Sequence, residues 1–226
     1  MYPITIIDNF LPNPVLFANY VKSFEYKFQG SNYPGYRTKL FHLIDEDFNL
    51  AITRKVFDVF YRERPEAWAI DITAQKIQPF VKDQKDQFSN INRGWIHQDN
   101  AVQLVGILYL DEDPLPNTGT NFYDVNVPLN HYESHMMDVK ESLYLKKDDF
   151  DIDKYNKTFE YINNQYKKTI SVENKFNRLV MFTGNQHHGA ETFGYGDSPR
   201  HTLNVFIFSH IGSNYTQTPY QRIGMI

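Results

Sequence analysis

The sequence predicts a mainly β fold, a sandwich or jelly roll with flanking helices at its amino-terminal end. Three observations carry this reading. From about residue 69 onward, short runs rich in β-branched and aromatic residues alternate with turn-rich pieces such as EDPLPNTG and FGYGDSP. Aromatic residues make up 16% of the chain, a supply that suits strands packed face to face. Ahead of those strands, two segments repeat their apolar residues every three or four positions, the period of a helix lying on a surface.

Taken in order, residues 4–7 (ITII) read as a short strand that ends in a turn from Asp8 to Pro12. Asn13 followed by Pro14 has the form of a helix cap and a first-turn proline, with Leu16, Phe17, Tyr20, Val21 and Phe24 as the buried stripe. A second helix is expected over 46–62, where Ile52, Val56, Val59 and Phe60 share a face and Pro65 closes the segment. Both helices need an apolar surface, which a sheet starting near Trp68 supplies. The expected strands are AIDITAQKI, the region through WIHQD, QLVGILYLD, TNFYDV, FNRLVMFT and HTLNVFIFS. Nothing repeats at a fixed period, which argues against solenoids and propellers.

The stretch 130–172 breaks the rhythm. It is polar, carries the run KKDDFDIDK, and has a helical pattern around 152–167 in Ile152, Tyr155, Phe159, Ile162 and Tyr166. It reads as an inserted segment between two strands, either a solvated excursion or a lid or substrate-facing wall. The last 15 residues, GSNYTQTPYQRIGMI, are polar and turn-prone. The whole chain, 1–226, is expected to form one domain, with 1–68 as a helical buttress and 130–172 as the insertion.

Composition removes several function classes. With no cysteine, thiolate metal sites, a thiol nucleophile and a disulfide scaffold are all excluded, leaving imidazole and carboxylate as ligands. A formal net charge of −4 gives no clear nucleic-acid signal. The N-terminus lacks a signal-peptide pattern and no run of 18 apolar residues occurs, so a cytoplasmic, non-membrane protein is expected.

In WIHQD an extended backbone puts His97 and Asp99 on one side, because side chains alternate with a period of two. A third ligand is sought in NQHHGAE, where His187 and His188 follow the strand RLVMFT and enter an expected glycine turn. Two imidazoles and one carboxylate make a facial triad that leaves three positions of an octahedron open, enough for a bidentate 2-oxo acid and dioxygen. Downstream, Arg200, Thr202, Asn204, Phe206 and Phe208 share one parity of the last strand while Leu203, Val205 and Ile207 share the other. A guanidinium fork with the Thr202 hydroxyl beside it suits the distal carboxylate of a dicarboxylic cosubstrate. Tyr109 either reaches the same carboxylate or is a core aromatic.

The order WIHQD, VGILYLDED, NTGTNFYD, RLVMFTGNQHHGAE and SPRHTLNVFIF resembles the 2-oxoglutarate and iron(II)-dependent dioxygenases, most closely their prolyl-4-hydroxylase-like branch with its uncharacterised bacterial and viral relatives. These pieces span 95–208, and IIDNFLPNPVLFANYV is similar to the opening strand and helix of that family. The resemblance implies a double-stranded β-helix, cupin-like, with helices against one sheet. It implies iron on His97, Asp99 and His188, a salt bridge from Arg200 to 2-oxoglutarate, and Tyr109 touching that cosubstrate. The implied activity is oxidation of a small-molecule or protein substrate, hydroxylation by default, with 2-oxoglutarate and dioxygen consumed and succinate and carbon dioxide released. Gly119 and Thr120 match a family turn usually written GGET, without its first glycine and its acid. Arg200 also stands further beyond His188 than the family's usual spacing, which the longer FGYGDSP turn absorbs. Two other readings use the same residues: a non-redox cupin-like metalloenzyme working through metal-bound water, and a jelly roll kept for binding or assembly.

Overall fold

The computed structural model describes residues 4–28, 33–60, 65–126, 134–145 and 150–211. Their strands form two antiparallel sheets. The larger runs, edge to edge, through β1 (Thr5–Ile7), β7 (Leu179–Thr183), β4 (Leu104–Tyr109), β9 (Arg200–Ile211), β3 (Ala67–Ile77) and β2 (Tyr36–Arg37). The smaller holds β6 (Tyr166–Val172), β5 (Thr120–Val125) and β8 (His187–Ala190), in that order. Two sheets with helices against the larger one are the jelly-roll arrangement that the strand pattern predicts.

Strand alternation explains the layering. On β9, Leu203, Val205 and Ile207 join Ile72 and Ala74 of β3 in the largest core, which α1 (Pro14–Lys22) and α2 (Glu46–Phe60) cover. Each aliphatic side chain buried there contributes about 1.5–3 kcal/mol. The opposite face of the larger sheet, through Val105, Val180 and Phe182, packs on Phe122 and Val172 of the smaller one. The site lies between the sheets, on the polar parity of β9.

The helices differ in detail from expectation. The inner face of α1 is Phe17, Ala18 and Val21, continued by Phe24 just beyond its end, whereas Leu16 is 73% exposed and Tyr20 42% exposed. At about 100° per residue, a stripe centred on Val21 turns Leu16 and Tyr20 aside. Asn13 makes no side-chain cap hydrogen bond. A side-chain cap forms instead on α2, where Asp45 accepts the Phe48 N–H at 3.0 Å and also the Tyr20 hydroxyl, tying the two helices together.

The stretch 130–172 contains α3 (Ser134–Tyr144), α4 (Ile152–Asn163) and β6. The second helix stops at Asn163, so Tyr166 opens a strand of the smaller sheet instead of continuing the helical stripe. Tyr155, Phe159 and Ile162 of α4 pack with Val139 and Leu143 of α3 around Trp95, making a separate core beside the site. These helices are therefore packed structure. The expectation for residues 212–226 lies outside the described residues. No helix among the described residues is long and apolar enough to cross a membrane.

Candidate metal centre

The residues expected in a glycine turn, His187 and His188, lie in β8, and the backbone of His97 pairs with it from the other side. His97 N–H donates to His188 O and His188 N–H donates to His97 O, both at 3.0 Å. WIHQD thus contributes an isolated bridge where a full strand was expected. Residues directly opposite in an antiparallel pair send their side chains to one face. The two imidazole centroids are accordingly 4.3 Å apart.

Two residues further on, Asp99 N–H donates to Gly184 O at 2.7 Å, anchoring the carboxylate-bearing segment to the end of β7. Gly184 permits this approach, since a Cβ there would lie 2.1 Å from Val102 O and 2.5 Å from Asp99 O. Ligand atoms of His97, Asp99 and His188 all lie within 4.8 Å of one another. His188 Nε2 stands 3.5 Å from Asp99 Oδ2.

The donor chemistry fits a divalent metal. His97 Nδ1 is 2.9 Å from Trp95 O, and His188 Nδ1 is 3.0 Å from Gln186 O. A carbonyl can only accept, so each Nδ1 carries the hydrogen and each Nε2 keeps a lone pair facing Asp99. Burial pushes the His188 imidazole down to about 4. His97 is lowered as well, chiefly by burial and then by its neighbour His188. Both rings are neutral at pH 7. Two neutral imidazoles and a carboxylate converging from one side are the donor set of a facial triad, matched to iron(II) and similar ions. His187 points away, its ring 4.8 Å from that of Tyr166.

A cavity of about 130 Å³ opens beside His97, Asp99 and His188 and runs along the polar parity of β9, touching Arg200, Thr202, Asn204 and Phe206. Arg200 is 6% exposed, donates from Nε to Thr118 O at 2.7 Å, and lies 5.3 Å from the centre of the Tyr109 ring. Among the described residues no carboxylate lies within ion-pair distance of it. Tyr109 is fully buried behind this wall, its hydroxyl 2.8 Å from Thr120 Oγ1, and Thr120 is the residue that reaches the cavity. Burial raises the Tyr109 phenol, which stays neutral.

His201 has the opposite parity and pairs with Asp111 at 2.9 Å. His42 sits 3.9 Å from Asp71, away from the three ligands. Among cavity residues the sequence did not single out, Gln75 accepts from Asn204 at 3.0 Å and donates to Pro34 O at 2.9 Å. Its parity, opposite to Ile72 and Ala74 on β3, was a usable signal. Arg37 and Lys140 also line the cavity, from β2 and α3, and no pattern near either pointed there.

A family model matches residues 1–193. The chain belongs to DUF6445, a family of unknown function. That match includes His97, Asp99 and His188 of the DUF6445 chain and ends before Arg200. No curated protein matches the sequence. Among solved structures, HygX from Streptomyces hygroscopicus with nickel and 2-oxoglutarate bound is 11% identical, with 95% of this chain and 85% of that chain covered and a TM-score of 0.54. The HygX structure with nickel, 2-oxoglutarate and hygromycin B bound is 9% identical over the same shares, with a TM-score of 0.56. SnoK, a non-heme alpha ketoglutarate dependent carbocyclase from nogalamycin biosynthesis, is 10% identical, with 93% of this chain and 80% of that chain covered and a TM-score of 0.51. At these identities the likeness is one of fold, and the fold is the double-stranded β-helix shared by 2-oxoglutarate and iron(II) oxygenases.

Proposed function

We propose that this DUF6445 protein is a 2-oxoglutarate- and dioxygen-dependent iron(II) oxygenase, a hydroxylase, with the chain 1–226 serving as one oxygenase domain. His97, Asp99 and His188 would hold the metal, and Arg200, Thr202 and Tyr109 would serve the cosubstrate. Iron(II) with 2-oxoglutarate and dioxygen supplies oxidative decarboxylation to succinate and carbon dioxide, coupled to oxidation of a second substrate.

The observation that carries the reading is Arg200. A guanidinium buried without a carboxylate leaves several kcal/mol of desolvation uncompensated. An anion in the cavity completes it, and the planar fork matches a carboxylate in two-point contact. The Thr202 hydroxyl, one step along the same face of β9, adds a donor. Tyr109 packs under the guanidinium and, through Thr120, fixes the wall that positions it. Val105, Ile107 and Phe206 line the same space with apolar surface. A metal site working only through bound water would leave Arg200 without a partner. The motif order from WIHQD to SPRHTLNVFIF supports the prolyl-4-hydroxylase-like branch.

The test is anaerobic titration of iron(II) and 2-oxoglutarate, followed by their weak visible charge-transfer band. Intact protein is expected to give the band, Asp99→Ala to lack it, and Arg200→Ala to require more than tenfold more 2-oxoglutarate. Folded, iron-loaded protein that gives no band would overturn the proposal.

A further inference from the structure

Three cations line the cavity, Arg37, Lys140 and Arg200, and the proposed chemistry employs one of them. Building on the oxygenase reading, we infer that the substrate oxidised in this site carries a carboxylate or phosphate group, held by Arg37 and Lys140.

Among the described residues neither Arg37 nor Lys140 makes an ion pair. Lys140 is 8% exposed, and its ammonium meets the Tyr144 ring at 6.0 Å from the centroid. Arg37 lies over the Tyr33 ring at 3.4 Å, and its Nε is buried without a hydrogen-bond partner. Among the described residues no carboxylate is within ion-pair distance of either, although surface lysines such as Lys22 and Lys175 have theirs. Lys140 is buried and Arg37 half-buried, and a lysine is rarely this enclosed unless paired.

The carboxylate whose charge reaches both is Asp99; Glu141 acts on Lys140 as well, from the next position of the helix. A divalent metal on Asp99 removes that compensation. Counting the site as proposed, two neutral imidazoles, one carboxylate, a dication, Arg200 and a dianionic cosubstrate come to no net charge. Arg37 and Lys140 then leave two positive charges facing a partly dry cavity, an expensive state that an anionic substrate relieves. A rigid fork and a mobile point charge together suit an oxyanion. Burial lowers both groups, Lys140 to about 8, which leaves it cationic at pH 7.

The test is calorimetric titration of inorganic phosphate and, separately, of acetate at constant ionic strength. It uses the full chain, metal-free and nickel-loaded, as wild type and as the Arg37→Gln/Lys140→Met double variant. Wild type is expected to bind at least one anion tenfold or more tightly than the double variant, and more tightly when nickel neutralises Asp99. Preference for phosphate assigns a phosphoryl group to the substrate, and preference for acetate a carboxylate. The charge-preserving Arg37→Lys/Lys140→Arg variant is expected to stay within about threefold of wild type. If the double variant unfolds, each single substitution carries the same comparison. Equal anion affinities in wild type and variants, in both metal states, would overturn the inference. Since the comparison needs no 2-oxoglutarate, its failure is separate from failure of the oxygenase reading, which shows as absent cosubstrate binding.

Discussion

Tyr155→Phe deletes one oxygen from α4 and asks whether that helix holds the segment that carries His97. The Tyr155 hydroxyl accepts the indole N–H of Trp95 at 2.7 Å, with Tyr155 at 0% and Trp95 at 2% exposure. Water cannot replace the lost acceptor, and an orphaned neutral donor in the interior costs about 1–3 kcal/mol. The space left is only that of a hydroxyl, so the cavity contribution is small and the cost sits near 2 kcal/mol. In a chain of this size each kcal/mol moves Tm by about 2–4 °C, giving a fall of about 4–8 °C by calorimetry. The effect reaches the site because the Trp95 carbonyl accepts from His97 Nδ1. Nickel affinity is therefore expected to fall severalfold along with Tm. A Trp95→Phe/Tyr155→Phe double variant should lose less stability than the two single variants together, since it leaves no orphaned donor. A Tm within about 1 °C of wild type for Tyr155→Phe would refute the reasoning.

Asp8 accepts from Arg178 Nε at 2.6 Å and Nη2 at 3.1 Å, and from Lys175 at 2.8 Å, and the Arg178 and Lys175 contacts hold its carboxyl well below the usual range. With 35% of its side chain exposed, screening reduces the contribution to about 1 kcal/mol. A depressed folded pKa stabilises above the unfolded value near 3.9 and is lost as pH falls toward the folded one. Urea denaturation should accordingly show Asp8→Asn about 1 kcal/mol weaker at pH 7, the gap narrowing between pH 5 and 3; a constant gap counts against the ion pair. Gly184→Ala would force a Cβ against two backbone oxygens and is expected to cost roughly 2–4 kcal/mol and more than tenfold in nickel affinity, so unchanged metal binding would show that this contact does not fix Asp99. His188→Ala should abolish nickel binding and His187→Ala keep it within about threefold, the reverse result reassigning the ligand.

Much of this site was legible because two-residue periodicity survives in the fold. Arg200, Thr202, Asn204 and Phe206 face the cavity while Leu203, Val205 and Ile207 face the helices, as their parity predicts. The same rule brought His97 and Asp99 together although their segment pairs only through one bridge. It failed at β8, where glycine beside two histidines suggested a turn. Gly189 lies in the strand, where a Cβ would sit 3.1 Å from Trp95 O, so the glycine marks a close backbone approach.

Arg37 and Lys140 were illegible for a different reason. Neither belongs to a periodic stripe, one coming from a two-residue edge strand and the other from a helix in the interrupted stretch. Their shared property is electrostatic: each lines the cavity close enough to feel Asp99, and among the described residues neither has a carboxylate within ion-pair distance. Such a property depends on where three distant segments meet, and only tertiary structure supplies it. His97 and His188 are placed by the backbone, since β8 and the His97 bridge set both imidazoles on one face. The cations are placed by packing, on aromatic rings and beside a carboxylate that metal binding neutralises. Metal binding and anion binding should therefore reinforce each other through Asp99, each being weaker when the other is absent.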